Sequence, residues 1–346
     1  MVLSFGELLL RMCPDAEGDW LRQNSLPFYV GGAEANVATA LAIWGTPSGY
    51  ATALPENMLS RQLTAYLQQK GIDTSRILYR GERLGLYYLP KGRDLKNAGV
   101  IYDRAHSSFS EWAPGSVDWD KWLRDVRWLH FSAISPALNK QLAMVCHELL
   151  EAASVKKIMI SVDLNYRAKL WQYGAAPIDI MPDLVRHCDL VMGNLWAAEK
   201  MLGTPLDTAL VHEGCAREDY LRHARLTSEM IMERFPRAKF VAKTFRFDRG
   251  QGGIHYYTCL FNGSRLYSSM EYFADRIVDK VGSGDCYMAG LIHGLYRGRP
   301  LQETLEFATA AAFRKLFIAS DATDQTAEEI DAFVRQQEQI SKTTKT

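Results

Sequence analysis

Residues 279–285 read DKVGSGD, so Asp285 stands directly behind three small residues, Gly282, Ser283 and Gly284. Small side chains let consecutive backbone N–H groups converge, which makes a nest for an anion. Behind them, DCYMAGLIHGLYRG places Met288, Leu291, Ile292 and Leu295 on one helical face and reaches Gly298 after the last turn. A helix is therefore predicted to begin near Asp285, with its positive dipole end aimed at the same spot. A carboxylate repels phosphate, so beside a bound phosphate Asp285 needs another task. Accepting the proton of a hydroxyl that attacks phosphorus is the chemistry that suits it. An aspartate there also serves as a plain helix cap. Gly290 and Gly294, four apart, would leave a bare ridge for close packing.

A second small-residue segment, GGAEANVA at 31–38, is not the G-x-G-x-x-G dinucleotide fingerprint, and no G-x-x-x-x-G-K-[ST] loop occurs. A Rossmann oxidoreductase and a P-loop enzyme are both disfavoured.

These residues need a scaffold. Apolar runs at VLSFGELLLRM, 127–134, 157–165, 189–194 and 239–245 read as strands, the middle ones buried on both faces of a parallel sheet. Between them, AEANVATALAIWG sets Val37, Leu41 and Trp44 on one stripe and stops at Gly45, and NKQLAMVCHELLEAAS repeats Leu142, Val145, Leu149 and Leu150 at helical spacing. The alternation implies right-handed βαβ units in an open α/β sheet with helices on both sides. Residues 13–30 form a polar interruption. Residues 81–110 carry two strand-like runs, LGLYYLP and GVIYDR, which read as a hairpin lid, with a long surface loop as the alternative. By strand alternation one of Tyr87 and Tyr88 faces the pocket and the other does not.

The bulk properties narrow the class. The 346 residues hold 40 Lys plus Arg against 40 Asp plus Glu, so no global field favours nucleic acid or an anionic membrane. The six cysteines (Cys13, Cys146, Cys188, Cys215, Cys259, Cys286) show no metal-site spacing and suit reduced thiols in a cytoplasm. No signal peptide is expected from the first residues, and no apolar run approaches the ~20 residues of a membrane span. The end of the chain, SKTTKT, is polar and expected to fray.

With both glycine segments in view, the chain resembles the ribokinase-like (PfkB) family of carbohydrate kinases. Gly31-Gly32-Ala33-Glu34-Ala35-Asn36 matches the first family signature, and Asp279 to Asp285, with Gly290 beyond, matches the second, D-T-x-G-A-G-D. Within the family, GGAEANVATALA, VIYDRAHSSFSEW, VDLNYRAKLW and GNLWAAEKMLG are most similar to the 2-keto-3-deoxygluconate kinases. The resemblance implies a three-layer α/β/α fold over 1–335, with a mostly parallel central sheet, a small β lid inserted at roughly 11–31 and 82–110, and a polar tail at 336–346. It implies an ATP-dependent kinase with Asp285 as base and the N–H groups of Gly282, Ser283 and Gly284 as the hole for the moving phosphoryl. Gly32 and Asn36 would sit at the sugar, with Tyr87, Tyr102 and Asn165. Arg104 and Arg167 would meet a sugar carboxylate through forked, charge-assisted bonds. Ordinary salt bridges are the alternative for both arginines.

Asn194, Thr244 and Arg246, with Gly282 and Gly284, would face the nucleotide. Mg²⁺ is implied, and so is a monovalent-cation site near Asp279, with K⁺ as the candidate ion. The family's metal-organising glutamate is replaced by Ala197, leaving Glu199, acting through water, as the nearest candidate. Lys280 replaces the usual Thr and Ser283 the usual Ala. Residues 316–330 occupy the adenine-loop region. A cytoplasmic homodimer joined through the lid is expected. The rival readings are a kinase for a neutral sugar such as fructose or ribose, and an idle sugar- or nucleotide-binding regulator.

Overall fold

The opening apolar run, expected as one strand, is two. β1 (Val2–Phe5) and β2 (Leu9–Met12) belong to different sheets. The break falls at Gly6-Glu7-Leu8, where the Tyr50 hydroxyl donates to the Gly6 carbonyl at 3.0 Å and pins the turn. Gly6-Glu7 marks the place in the sequence, but apolar residues on both sides of it, all buried, let the two strands read as one. The structure, a computed structural model, describes residues 1–14, 20, 24–90, 99–211, 215–250 and 252–343. The connection between the two lid runs at 91–98 and much of the 13–30 interruption lie outside the described residues.

After β2 come β3 (Phe28–Gly31), α1 (Ala33–Ile43), β4 (Ser48–Leu54), α2 (Met58–Gln69), β5 (Asp73–Tyr79), β6 (Gly85–Tyr88) and β7 (Ile101–Asp103). The middle of the chain gives α3 (Trp119–Trp122), β8 (Trp128–Ser132), α4 (Ile134–Ala137), α5 (Lys140–Val155), β9 (Met159–Asp163), α6 (Pro177–Val185), β10 (Leu190–Met192) and α7 (Leu195–Leu202). The last third holds α8 (Arg217–Arg234), β11 (Phe240–Arg249), β12 (Gly253–Phe261), β13 (Leu266–Ser268), β14 (Tyr272–Ala274), α9 (Ser283–Tyr296), α10 (Leu301–Lys315) and α11 (Ala327–Thr343).

The large sheet runs β13-β12-β11-β10-β9-β8-β1-β4-β5, with β14 also on β12. From β11 to β5 every neighbour is parallel, and β12 turns the far edge antiparallel. Strand alternation divides the core. Leu3 and Phe5 of β1 join a cluster with α5, α6 and α7 on one face, while Val2 joins α1, α9 and α10 on the other. That is the expected three-layer α/β/α arrangement. The lid is a separate four-stranded sheet, β3-β2-β6-β7. Its β6–β7 pair is the antiparallel hairpin expected from LGLYYLP and GVIYDR. The polar interruption contributes β3, which pairs antiparallel with β2 at the other edge of this sheet.

Two helix readings change. α9 begins at Ser283 behind Gly282, so Asp285 is the third residue of its first turn and makes no capping bond. α11 continues to Thr343, so most of the segment read as a polar tail is helical. The bare ridge on α9 is real. A Cβ on Gly290 would lie 2.5 Å from the Ala308 backbone of α10. Gly290→Leu is therefore expected to lower unfolding stability by ~1–3 kcal/mol through overpacking. A denaturant midpoint equal to that of the unchanged protein would count against this packing.

Candidate active site

Between the lid and the C-terminal ends of the parallel strands lies a cavity of about 800 Å³. That is where open α/β sheets receive ligands. Its floor is the start of α9. Gly282 has φ 79 and caps the helix in the left-handed region, where glycine is strain-free. A side chain there would drive its Cβ to 1.7 Å from the Asp321 carbonyl. The Ser283 hydroxyl turns away and donates to the Ala312 carbonyl at 3.0 Å, so its side chain leaves the helix end clear. Around Gly284 a Cβ would meet nothing within 4 Å, which is room for a ligand. The first N–H groups of α9 have no intrahelical acceptor, so this end of the helix is a site for an anion.

Asp285 is half-buried, and its exposed part faces the cavity rather than open solvent. Asn36, on the first turn of α1, donates through Nδ2 to Asp285 Oδ2 at 2.7 Å. Loss of hydration pushes the Asp285 carboxyl up to about 8. The Asn36 bond and Arg167 pull it down, while Asp163 and Glu34 push it further up. Asp163, at the end of β9, is itself raised to about 6 by burial, against a 3.0 Å bond from the Asn165 amide and the charge of Arg167. Glu34 is held by the Ser132 amide at 2.9 Å and its hydroxyl at 2.6 Å, and burial raises its carboxyl too. Asp285, raised to about 8, is thus poised to exchange a proton near neutral pH.

The expected sugar-side residues come together. Gly32, Asn36, Tyr87, Tyr102, Arg104, Asn165 and Arg167 all line the cavity. Tyr87 points in and donates to Asp321 at 2.8 Å, whereas Tyr88 turns out against Trp20. Arg104 is buried, with its Nε edge committed to Glu7 Oε2 at 2.5 Å. Half of the expected guanidinium clamp is thus already paired. Arg167 donates to the neighbouring Tyr166 carbonyl at 3.0 Å and keeps part of its surface in the cavity.

On the far side, Asn194, Thr244 and Arg246 line the same space. Asn194 caps α7, accepting from the Ala197 amide at 2.8 Å. Two expected residues are elsewhere. Glu199 pairs with Lys200 at 3.4 Å and does not face the cavity. Two positions beyond Ala197 lie about 200° round the helix, so spacing alone carried it to the wrong side. Asp279 is fully buried beneath the loop, where Arg11 Nη2 donates to it at 2.5 Å. Sequence reading missed the acids Glu7, Glu34, Asp163 and Asp321, which also line the cavity. Asp163 had a signal, ending a buried strand at its C-terminal edge. Among the described residues, no cluster of three or more His, Cys, Asp or Glu side chains forms a metal site.

Comparison with known proteins places this geometry. The model of the pfkB family carbohydrate kinase matches residues 1–316. The chain is 28% identical over 335 residues to a 2-dehydro-3-deoxygalactonokinase of Haloferax volcanii, covering 96% of each. It is 24% identical over 314 residues to a 5-dehydro-2-deoxygluconokinase of Geobacillus thermodenitrificans, covering 89% of this chain and 84% of that one. The crystal structure of 2-dehydro-3-deoxygluconokinase from Thermotoga maritima superposes with a TM-score of 0.86 and 33% identity, covering 96% of this chain and 99% of that one.

The raised carboxyl has a thermodynamic signature. A folded-state value near 8 against an ordinary 3.8 means that native Asp285 favours its proton. Its contribution to stability is full below about pH 4 and is lost as pH rises through about 8. Asp285→Asn is expected to raise the melting temperature most at pH 8–9, with the gain shrinking toward pH 5. A gain that stays flat across that range would show that the carboxyl is not raised.

Proposed function

The chain belongs to the pfkB family of carbohydrate kinases, and from that membership we propose that it transfers the γ-phosphoryl group of ATP to a hydroxyl of a keto-deoxy sugar acid. The relatives named above are all kinases of dehydro-deoxy sugar acids by name. The observation that carries the reading is the juxtaposition of Asp285, at the bare start of α9, with Arg104 and Arg167 in one cavity. The first reads as a phosphoryl site with its base. The second supplies cationic recognition for a carboxylate.

In this reading the sugar carboxylate meets Arg167 and the edge of Arg104 not taken by Glu7. Glu7 Oε1 is buried without a hydrogen-bond donor among the described residues, so it is available to a sugar hydroxyl. Asn36 orients the Asp285 carboxylate. Asp285 takes the proton of the acceptor hydroxyl as its oxygen attacks the γ-phosphorus, the bond to the β,γ-bridging oxygen breaks, and ADP leaves. The amides at the start of α9 meet charge on the moving phosphoryl. Mg²⁺ would be held mainly by the phosphates of ATP, with Asp163 the carboxylate available beside Asp285, and it would supply charge neutralisation. Asn194, Thr244 and Arg246 line the nucleotide side, and the lid excludes water as a competing acceptor.

The kinase unit is read as running to the end of α11 at Thr343, with β3, β2, β6 and β7 as its lid. None of the six cysteines is in a disulfide, which suits a cytoplasmic setting. No helix among the described residues is long and apolar enough to cross a membrane.

A panel of keto-deoxy acids and neutral sugars, read by ADP release, tests the assignment. The acids are expected to turn over best, Asp285→Asn to lose ~10²–10⁴-fold in kcat, and Arg167→Ala to raise the KM for acids while sparing neutral sugars. Equal turnover of fructose or ribose, the outcome favoured by Glu7 neutralising Arg104, would falsify the acid reading.

The lid also presents an apolar outer surface, with Phe28 56% and Ile101 51% exposed on its edge strands. Joining two lids would cover them and shield the strand edges. Light scattering is expected to give a dimer that Phe28→Glu with Ile101→Glu converts to a monomer. A monomeric parent protein would rule the lid interface out.

A further inference from the structure

Beneath the glycine loop lies a cluster of buried charged side chains, Arg11, Asp279, Lys315 and Asp321, of which Asp321 alone also borders the cavity. Arg11 reaches down from lid strand β2 and is fully buried. Its Nη2 donates to Asp279 Oδ2 at 2.5 Å, and its Nε stands 3.1 Å from Asp321 Oδ1. The second contact is an ion pair rather than an aligned hydrogen bond. The guanidinium also stacks 4.8 Å from the Tyr29 ring centre. Lys315 is the other buried cation. It donates to the Ile318 carbonyl at 3.2 Å, and its Cε lies 3.3 Å from where a Cβ on Gly282 would stand. Burial lowers the Lys315 ammonium, with Asp279 and Asp321 pulling the other way.

This cluster is fastened to the loop on both sides. The Val281 amide donates to Asp279 Oδ1 at 3.2 Å, and the Asp321 carbonyl packs directly against Gly282. The family resemblance implied a monovalent cation near Asp279. The residues present do not fit one. The space between the two carboxylates holds a guanidinium, and Arg11 with Lys315 already balances Asp279 with Asp321. A third cation would be buried with no carboxylate left to pair it.

We propose that Arg11 is the resident cation of the anion loop: it stands in place of K⁺, ties the lid to Gly282–Gly284, and makes turnover independent of monovalent salt. The proposal rests on the kinase reading above, in which that loop holds the moving phosphoryl. Arg11 acts through the loop and is a positioning residue.

Turnover of the full-length protein in KCl, NaCl and tetramethylammonium chloride at equal ionic strength tests it first, and the same kcat is expected in all three. Arg11→Met leaves two carboxylates facing one ammonium. It is expected to lower kcat by ~10²-fold through misplacement of the loop, with the sugar KM unmoved. KCl should restore part of that loss and raise the variant's melting temperature, and tetramethylammonium should do neither. Should Arg11→Met fail to fold, Arg11→Lys keeps the charge and is expected to remain indifferent to K⁺. Activation of the unchanged protein by K⁺ overturns the proposal. So does undiminished kcat in Arg11→Met, or a loss that K⁺ does not ease and that moves KM in step. A protein that phosphorylates no sugar in any salt fails the kinase reading instead, and the melting comparison still decides the role of Arg11.

Discussion

The structure turns on keeping one carboxylate out of bulk water yet able to ionise. Asp285 meets that demand through a single amide, Asn36 Nδ2, 249 residues away in the chain. A hydrogen bond to a charged group is worth about 1.5–3 kcal/mol, and here it works against loss of hydration and two neighbouring acids. The bond exists only because α1 and α9 both begin at the cavity. Asn36 is the fourth residue of one helix and Asp285 the third of the other. Both positive helix ends therefore point at one spot. A chain with no net charge builds a local field this way, from peptide dipoles rather than surplus lysines.

Much of this was legible in the residues. Apolar runs without alternation marked strands buried on both faces, and the periodicity behind Asp285 marked its helix. Small residues at 282–284 signalled that something other than a side chain must approach the backbone. The lid hairpin was visible because Tyr87 and Tyr88 sit in a short run between polar breaks. Tyr87 and Tyr88 then divided between inside and outside as strand alternation requires.

What stayed hidden was whatever depends on a partner distant in sequence. Glu7, Glu34 and Asp321 look like solvated acids until the fold encloses them. Arg11 reads as a polar residue in a strand, since its partner Asp279 is 268 residues away. The break between β1 and β2 was overlooked because Gly6-Glu7 is a short gap between two apolar runs, although one run belongs to the core sheet and the other to the lid. Glu199 failed for a different reason. It is close to the right position along the chain, but helical rotation carries it off the cavity.

The chain passes between core and lid at four short crossings: at 6–8, at Gly32, at 80–84, and just past Asp103. Three of them supply cavity residues, namely Glu7, Gly32 and Arg104. Three of the groups that would meet a sugar thus stand at the joints between core and lid, while Tyr87 and Tyr102 stand on the lid strands themselves. A ligand bound at Glu7 and Arg104 would therefore press on the joints themselves, which would couple sugar occupancy to the position of the lid.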